Sequence, residues 1–197
     1  MFVTFEGQDW SGKSTQAALL VEHLRARGRD VVETREPGGT PIGEAIRSLL
    51  LDGPEMTPWA EAALFAAARA EHVAAVIRPA LERGAAVVCD RYVDSSIVYQ
   101  GIARGLGADR VLELNLGVTG GLLPDRTFVL DVDPATARAR HSAALDRIER
   151  EDEPFRVRVA DGYRQLATLF PTRVVVLDGA LPPEEIAGRV RDSIRTL

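Results

Sequence analysis

The sequence predicts an α/β fold in which a five-stranded parallel sheet is covered by helices on both faces. Five short apolar segments, each typical of a buried strand, alternate with segments of helical periodicity; they are MFVTFEG, DVVETREPGG, AAVVCDRY, RTFVLDVD and TRVVVLDG. Alternation of strands with helices favours a parallel sheet, and near-continuous apolar strands indicate that both of its faces are buried. A glycine-rich turn directly after the first strand is the second observation, because such a turn is typical of one class of three-layer α/β sandwich.

The predicted helices follow from the spacing of apolar residues and from their end signals. After the first strand, the segment KSTQAALLVEHLRARG has apolar residues at helical spacing and ends at Gly28. Further helices are predicted for PIGEAIRSLLL, for an alanine-rich stretch from about Pro58 to Arg83, for SSIVYQGIARG, for DRVLELNLG and for PEEIAGRVRDSIRTL. Residues 134–170 indicate two helical pieces around the polar segment RHSAALDRIEREDEP, for which a movable flap and a plain surface loop are both open interpretations.

Composition limits the classes of function. The 197 residues predict a single domain, 1–197, and 46% hydrophobic with 27% charged residues is ordinary for a soluble globular protein. A net charge of −5 argues against a general nucleic-acid partner. The single cysteine, Cys89, excludes an intrachain disulfide, and no apolar stretch is long enough to span a bilayer. We therefore expect a cytoplasmic protein that has neither a membrane nor a nucleic acid as its partner.

The clearest motif is G-x-x-x-x-G-K-[ST], which lies between the first strand and the first helix. Backbone N–H groups of such a turn, together with the positive end of the following helix, form an anion cradle. Lys13, the only lysine of the chain, would contact the β- and γ-phosphates of a nucleotide, and the Ser14 hydroxyl would bind Mg²⁺. The combination of motif and context disfavours an ordinary glycine-rich turn. The predicted cradle residues are Gly7, Gln8, Asp9, Trp10, Ser11, Gly12, Lys13 and Ser14.

The third strand narrows the class of P-loop protein. A guanine-reading N-K-x-D segment is impossible because the chain has no second lysine, and the strand AAVVCDR lacks the acidic pair typical of motor ATPases. Asp90 at the end of this strand is placed to help hold Mg²⁺ or its waters, and Arg91 beside it would meet another anion. Together they indicate two phosphate-bearing ligands, and therefore phosphoryl transfer within a P-loop NTPase sandwich.

Several segments together resemble the thymidylate kinase family, which phosphorylates dTMP. They are FEGQDWSGKSTQ, TREPGGTPIGEAIRSLLL, EAALFAAARAEHV, VVCDRYVDSSIVYQG, PDRTFVLDVDP and LDRIE. The resemblance implies the reaction ATP + dTMP → ADP + dTDP with Mg²⁺ as cofactor, and it implies a homodimer. Two alternatives stay open: a kinase for another nucleotide or nucleoside, such as dCMP or UMP, and a non-catalytic nucleotide-binding regulator.

The resemblance also implies roles for individual residues. Asp9 would meet the sugar 3′-hydroxyl, Arg91 would grip the dTMP 5′-phosphate, and the loop carrying Arg35 and Pro37 would cover the substrate. Phe65 would stack on thymine and Arg69, one helical turn away, would hydrogen-bond its carbonyl edge. From the residues alone, Phe65 would be a core residue. The remaining implied substrate contacts are Ser96, Tyr99 and Gln100, and the implied catalytic residues are Lys13, Arg147, Asp9 and Arg91.

The polar segment corresponds to the family's mobile LID over ATP, at about residues 139–152. We call it the flap segment. Some members carry an arginine in the phosphate loop at the position of Trp10, whereas others place the acting arginine in the LID. Arg147 of LDRIE is the preferred candidate here. Weaker candidates are Arg138, Arg140 and Arg150.

Overall fold

The computed structural model describes residues 1–140, 145–195 and 197, and it confirms the five-stranded parallel sheet. The strands are β1 (Phe2–Glu6), β2 (Val31–Arg35), β3 (Ala86–Asp90), β4 (Arg126–Asp131) and β5 (Val174–Asp178). Their order is β2-β3-β1-β4-β5, and each neighbouring pair is parallel. The central strand β1 pairs Phe5 with Asp90 of β3 and with Phe128 of β4. The carboxyl ends of β1 and β3 therefore lie side by side.

Helices cover both faces of the sheet, as the apolar strands predict. They are α1 (Lys13–Arg25), α2 (Pro41–Asp52), α3 (Pro58–His72), α4 (Arg78–Glu82), α5 (Val93–Ser96), α6 (Ala108–Thr119), α7 (Pro134–Ala139), α8 (Glu153–Leu169) and α9 (Pro183–Ser193). Four of them begin after a side chain that accepts a hydrogen bond from the first turn, with proline at the first or second position of the helix, so these helix starts are encoded locally. The capping residues are Thr40, Thr57, Asp133 and Asp152.

Alternate residues of β1 enter two different cores. Val3 and Phe5 pack with Leu20 of α1 and Ile186 of α9 on one face. Phe2 belongs to the core on the opposite face, which contains residues of α4, α5 and α8. Because side chains of a strand alternate between faces, one strand of apolar residues supplies both cores. The result is the predicted three-layer sandwich.

Two stretches differ from the regular helices expected from the sequence. The predicted helix from Pro58 to Arg83 contains a π-helical turn at Val73–Ile77 between α3 and α4. A second π-helical segment, Ile97–Ala103, follows α5. Apolar spacing does not distinguish a π-turn from an α-turn over so few residues, and π-turns are frequent at functional sites. The second π-turn carries Tyr99 and Gln100, two of the predicted substrate contacts.

The flap segment is described only in part, because residues 141–144 lie outside the described residues. Residues 145–152 run back along α2, where the backbone N–H of Arg147 donates to the Leu51 carbonyl over 2.9 Å. Ile148 is buried. Movement of this segment, and a single domain over 1–197, stay predictions. In the described part of the chain, no helix combines the length and apolarity needed to cross a membrane.

Phe128→Ala should lower the free energy of unfolding by about 3–5 kcal/mol, as is usual for removing a buried aromatic ring. Phe128 is fully buried, and its ring stacks on Phe5 with centroids 5.5 Å apart. Urea denaturation measures the change. Leu169→Ala is the control, because Leu169 is 55% exposed and its loss should cost far less. Equal losses in the two variants would contradict this account of the core.

Candidate active site

The loop between β1 and α1 has the backbone shape of an anion cradle. Gly7 and Gly12 have φ angles of 134° and 100°, which disfavour residues with a Cβ. A Cβ on Gly7 would lie 2.6 Å from the Leu130 carbonyl oxygen of β4, so the loop can pass this strand only with glycine there. Helix α1 begins at Lys13, directly after Gly12. Its free N–H groups and positive dipole end therefore face the loop.

Lys13 is buried against its own loop. Its Nζ donates to the Gln8 carbonyl over 2.8 Å, and the Gln8 side chain in turn donates to the Val132 carbonyl. Burial, and then the positive charge of Arg91, lower the pKa of Lys13 to about 8. The ammonium is thus poorly solvated in the free protein, and an incoming phosphate would add negative charge beside it.

Ser14 and Asp90 present oxygen atoms beside the loop. The Ser14 hydroxyl donates to Asp90 Oδ2 over 2.5 Å, across the adjacent ends of β1 and β3. Hydroxyl and carboxylate oxygens suit Mg²⁺, which usually takes one or two protein ligands and completes its shell with water and phosphate oxygens. The donor set therefore fits the predicted Mg²⁺ site, which stays a prediction.

Arg91 bridges the phosphate loop and the neighbouring cleft. Its φ of 69° lies in the left-handed region, which costs a non-glycine residue about 1–3 kcal/mol. Its guanidinium donates to the Gly7 carbonyl (3.0 Å), to Ser95 Oγ (3.1 Å) and to the Tyr163 hydroxyl (3.1 Å), and it pairs with the Asp9 carboxylate. Burial opposes ionisation of Asp9, but the charges of Arg91 and Lys13 outweigh it and lower the Asp9 pKa.

Glu6, the last residue of β1, lies beneath this arginine and was not predicted as a site residue. It is fully buried and accepts from the Tyr92 N–H (2.7 Å), Ser95 Oγ (2.5 Å) and the Tyr163 hydroxyl (3.0 Å). Burial, and then the charge of Asp94, raise the pKa of Glu6 to about 7. An acid that ends an otherwise apolar strand was the only sequence signal for this residue.

Seven of the nine predicted substrate residues line one cleft of about 580 Å³ beside Arg91. They are Asp9, Pro37, Phe65, Arg91, Ser96, Tyr99 and Gln100. Phe65 is half-buried: it packs against the core and also faces the cleft, so both interpretations of this residue have a structural basis. Sequence reasoning missed several further lining residues, among them Glu36, Arg47, Leu51 and Ser95.

Arg35 and Arg69, the other two predicted contacts, do not line this cleft. Arg35 is half-exposed and its Nη2 lies 3.0 Å from both oxygens of Glu44. Arg69 is 1% exposed; it donates to Glu36 Oε2 over 2.7 Å and to Ser96 Oγ over 3.0 Å. The Arg69 guanidinium therefore lies behind Ser96, where it orients that hydroxyl. Direct contact of either arginine with a substrate stays a prediction.

Arg147 does not line the cavity at the phosphate loop. Its Nε donates to the Leu50 carbonyl and its Nη2 to Glu61 Oε2, each over 2.8 Å, and the side chain is buried. To reach a phosphate, this guanidinium would have to leave Glu61. Arg140 does line that cavity, and its guanidinium donates to the Gly179 carbonyl over 3.2 Å.

Three cavities follow one another around the phosphate loop. Asp9 lines both the cleft beside Arg91 and a second cavity, which Arg138 also lines. Trp10 lines this second cavity and a third one, which also exposes Lys13 and Ser14. The cleft beside Arg91, the second cavity and the third cavity are therefore all bordered by residues of the phosphate loop.

Comparison with known proteins identifies the family. Residues 5–190 match the sequence model of the family described as thymidylate kinase. The chain belongs to the thymidylate kinase family. The thymidylate kinase of Exiguobacterium sp. is 50% identical over 98% of this chain and 92% of its own length. That of Leifsonia xyli is 52% identical over 97% and 92%, respectively. The crystal structure of thymidylate kinase from Ehrlichia chaffeensis superposes with a TM-score of 0.82, at 35% identity, covering 99% of this chain and 98% of that one.

Binding of a nucleoside triphosphate should weaken as the pH rises from 7 to 9. With a pKa of about 8, Lys13 loses its proton over this range in the free protein, and the protonated amine is the form that attracts phosphate. Calorimetric titration with a non-hydrolysable ATP analogue and Mg²⁺ should show affinity falling by up to about tenfold per pH unit above pH 8.

Lys13→Arg is the matched control, because a guanidinium stays charged throughout this range. Its pH profile should be flatter than that of the natural chain. The same slope in both proteins would mean that another group causes the change.

Proposed function

We propose that this thymidylate kinase family member transfers the terminal phosphoryl group of ATP to dTMP, producing ADP and dTDP. The observation that carries the proposal is the position of Arg91. It lines the cleft that contains most of the predicted dTMP contacts, and it also bonds to Gly7 and Asp9 of the phosphate loop. A monophosphate held by Arg91 would point its phosphate at the cradle that holds ATP.

At the donor side, the backbone amides of the phosphate loop and Lys13 would bind the ATP phosphates. Ser14 and Asp90 would hold Mg²⁺, which supplies charge neutralisation on the phosphate oxygens when bound. Phosphoryl transfer requires positioning and charge stabilisation more than covalent participation by the protein. No covalent enzyme intermediate is part of the proposal.

At the acceptor side, Phe65 would stack on the base while Gln100 and Ser96 contact its polar edge. Arg69 supports this arrangement by bonding to Ser96 over 3.0 Å. Tyr99 packs beside Asp9, with its hydroxyl 3.4 Å from Asp9 Oδ2, and would crowd a 2′-hydroxyl. The acceptor would therefore be a deoxyribonucleotide.

An arginine from the chain between residues 138 and 150 would stabilise the transferred phosphoryl group. Arg140 lines the cavity at the phosphate loop and Arg138 lines the adjoining one, which supports them beside the preferred sequence candidate Arg147. Arg147 would act only after exchanging Glu61 for phosphate.

We further propose a homodimer in the cytoplasm, where ATP and Mg²⁺ are available. Exposed apolar side chains on α2 and α3, namely Ile42, Leu49 and Trp59, support an association surface. Light scattering tests the dimer, and cell fractionation tests the location.

A panel of nucleoside monophosphates with ATP and Mg²⁺ tests the reaction. We expect ADP release with dTMP to exceed that with dCMP, dUMP and UMP. Comparable turnover with UMP or dCMP would reassign the acceptor. Tight ATP binding without transfer to any monophosphate would contradict catalysis altogether.

Phe65→Ala should raise the KM for dTMP by about tenfold or more and leave the KM for ATP nearly unchanged. The reason is the loss of base–aromatic stacking, which is worth about 1–3 kcal/mol per base. Steady-state kinetics with each substrate varied in turn measures the split. Phe170→Ala, a ring that instead packs over Arg173, is the matched control. Equal rises in both KM values would indicate that Phe65 has only a structural role.

A further inference from the structure

The carboxylate of Glu61 is buried behind the cleft. Phe65, Ser96 and Gln100 line this cleft. Glu61 is in the first turn of α3 and is 1% exposed. Its Oε1 accepts from Gln100 Nε2 over 3.0 Å and from Arg104 Nε over 3.2 Å. Its Oε2 accepts from Arg104 Nη2 over 3.1 Å and from Arg147 Nη2 over 2.8 Å. One carboxylate thus joins α3, the second π-turn and the flap segment.

This carboxylate is ionised and can only accept hydrogen bonds. Burial opposes its ionisation, but hydrogen bonds from Arg104, Gln100 and Arg147 outweigh burial and lower the pKa of Glu61. The start of α3 also favours negative charge. An ionised carboxylate offers no proton, so the Gln100 amide must turn its NH₂ group toward Glu61. The amide oxygen is then the group that Gln100 can offer to the cleft it lines.

We propose that Glu61 is a positioning residue for base specificity: it holds the Gln100 amide with its oxygen toward the cleft, so that the pocket selects a base presenting an N–H there. Thymine presents such a donor at its N3 position, whereas cytosine presents a lone pair at the same position. The inference rests on the proposed function, because it specifies how the acceptor site of that reaction reads its base.

The residues around Glu61 hold its carboxylate, and with it the Gln100 amide, in one orientation. Arg104 also pairs with Glu151 of the flap segment over 2.5 Å, and its guanidinium lies 4.6 Å from the centre of the Phe155 ring. Arg104 therefore holds both oxygens of the carboxylate, and Arg147 holds Oε2 as well. An amide flip would place the Gln100 oxygen against Glu61 Oε1, so that two acceptors would face each other and the amide oxygen would have no donor there.

Glu61→Gln is the central test. A neutral amide at position 61 can donate as well as accept, so the Gln100 amide becomes free to turn over. We expect the ratio of kcat/KM for dTMP to that for dCMP to fall about tenfold, the size of one neutral hydrogen bond gained or lost. This ratio is independent of the active fraction of the preparation, so partial unfolding does not change it. Glu82→Gln, an exposed change on α4, is the matched control and should keep the ratio of the natural chain.

Two more variants complete the design. Glu61→Asp keeps the charge that Arg104 and Arg147 need but shortens the reach to Gln100, so its ratio should lie between that of the natural chain and that of Glu61→Gln. If the glutamine variant does not fold, a fall of the Glu61→Asp ratio below that of the natural chain supports the positioning role, and an unchanged ratio overturns it. Gln100→Ala should lower the ratio by itself, and adding Glu61→Gln to it should cause no further fall, because both changes act through one amide.

Calorimetric binding of dTMP and dCMP without ATP gives the same comparison independently of turnover. Failure of the natural chain to phosphorylate dTMP would count against the proposed function, whereas the binding ratio would still test Glu61. A ratio that falls in Gln100→Ala but is unchanged in both Glu61 variants would overturn the positioning role alone. An unchanged ratio in Gln100→Ala would overturn it as well, since the amide would then not read the base.

Discussion

The arrangement of the whole site depends on the contact between Arg91 and the phosphate loop. Parallel strands β1 and β3 are neighbours, so the residues that follow them emerge side by side at the carboxyl edge of the sheet. The left-handed backbone of Arg91 turns its guanidinium back toward the Gly7 carbonyl and the Asp9 carboxylate. This strained conformation is held by the buried acceptors around it, Ser95 and Tyr163 among them, which are themselves bound to Glu6. The strain is therefore supported by hydrogen bonds to residues that are anchored on Glu6.

The charges around this contact would suit the two anionic ligands of the proposed reaction. Lys13 is buried and Arg91 is half-buried, and Asp9 is the acid that compensates them in the free protein. A buried charge without a partner is costly, which explains why an acid stands inside a loop built for phosphates. Bound phosphates would compensate the two cations instead. Asp9 would then be available to a neutral donor such as a sugar hydroxyl, which would reconcile its position with its predicted role.

Sequence patterns predicted the strands and the glycine-rich loop because these depend on local rules, whereas the residues of the cleft were implied by the family resemblance. Runs of apolar residues determine the strands, and the spacing of the glycines determines the loop, each within a few residues of sequence. The positions of Arg69 and Arg147 depend instead on distant acids. Helical spacing correctly places Arg69 near Phe65, but the long side chain turns to Glu36, 33 positions away. Arg147 likewise finds Glu61, 86 positions away. An arginine in a motif has several reachable partners, and only the folded chain decides among them.

The contacts around Glu61 connect the flap segment to the acceptor side of the site. The predicted role of that segment is to cover the donor nucleotide, yet the contacts of Arg147 and Glu151 lead to the acceptor side of the fold. The guanidinium groups of Arg104 and Arg147 both donate to the Glu61 carboxylate, which also accepts from Gln100. If Arg147 left Glu61 for a phosphate, Arg104 and Gln100 would remain as partners of Glu61. The Gln100 amide would then keep its orientation toward the base while Arg147 is released. Because Glu61 has more than one donor, loss of Arg147 alone would leave the contact between Glu61 and Gln100 in place.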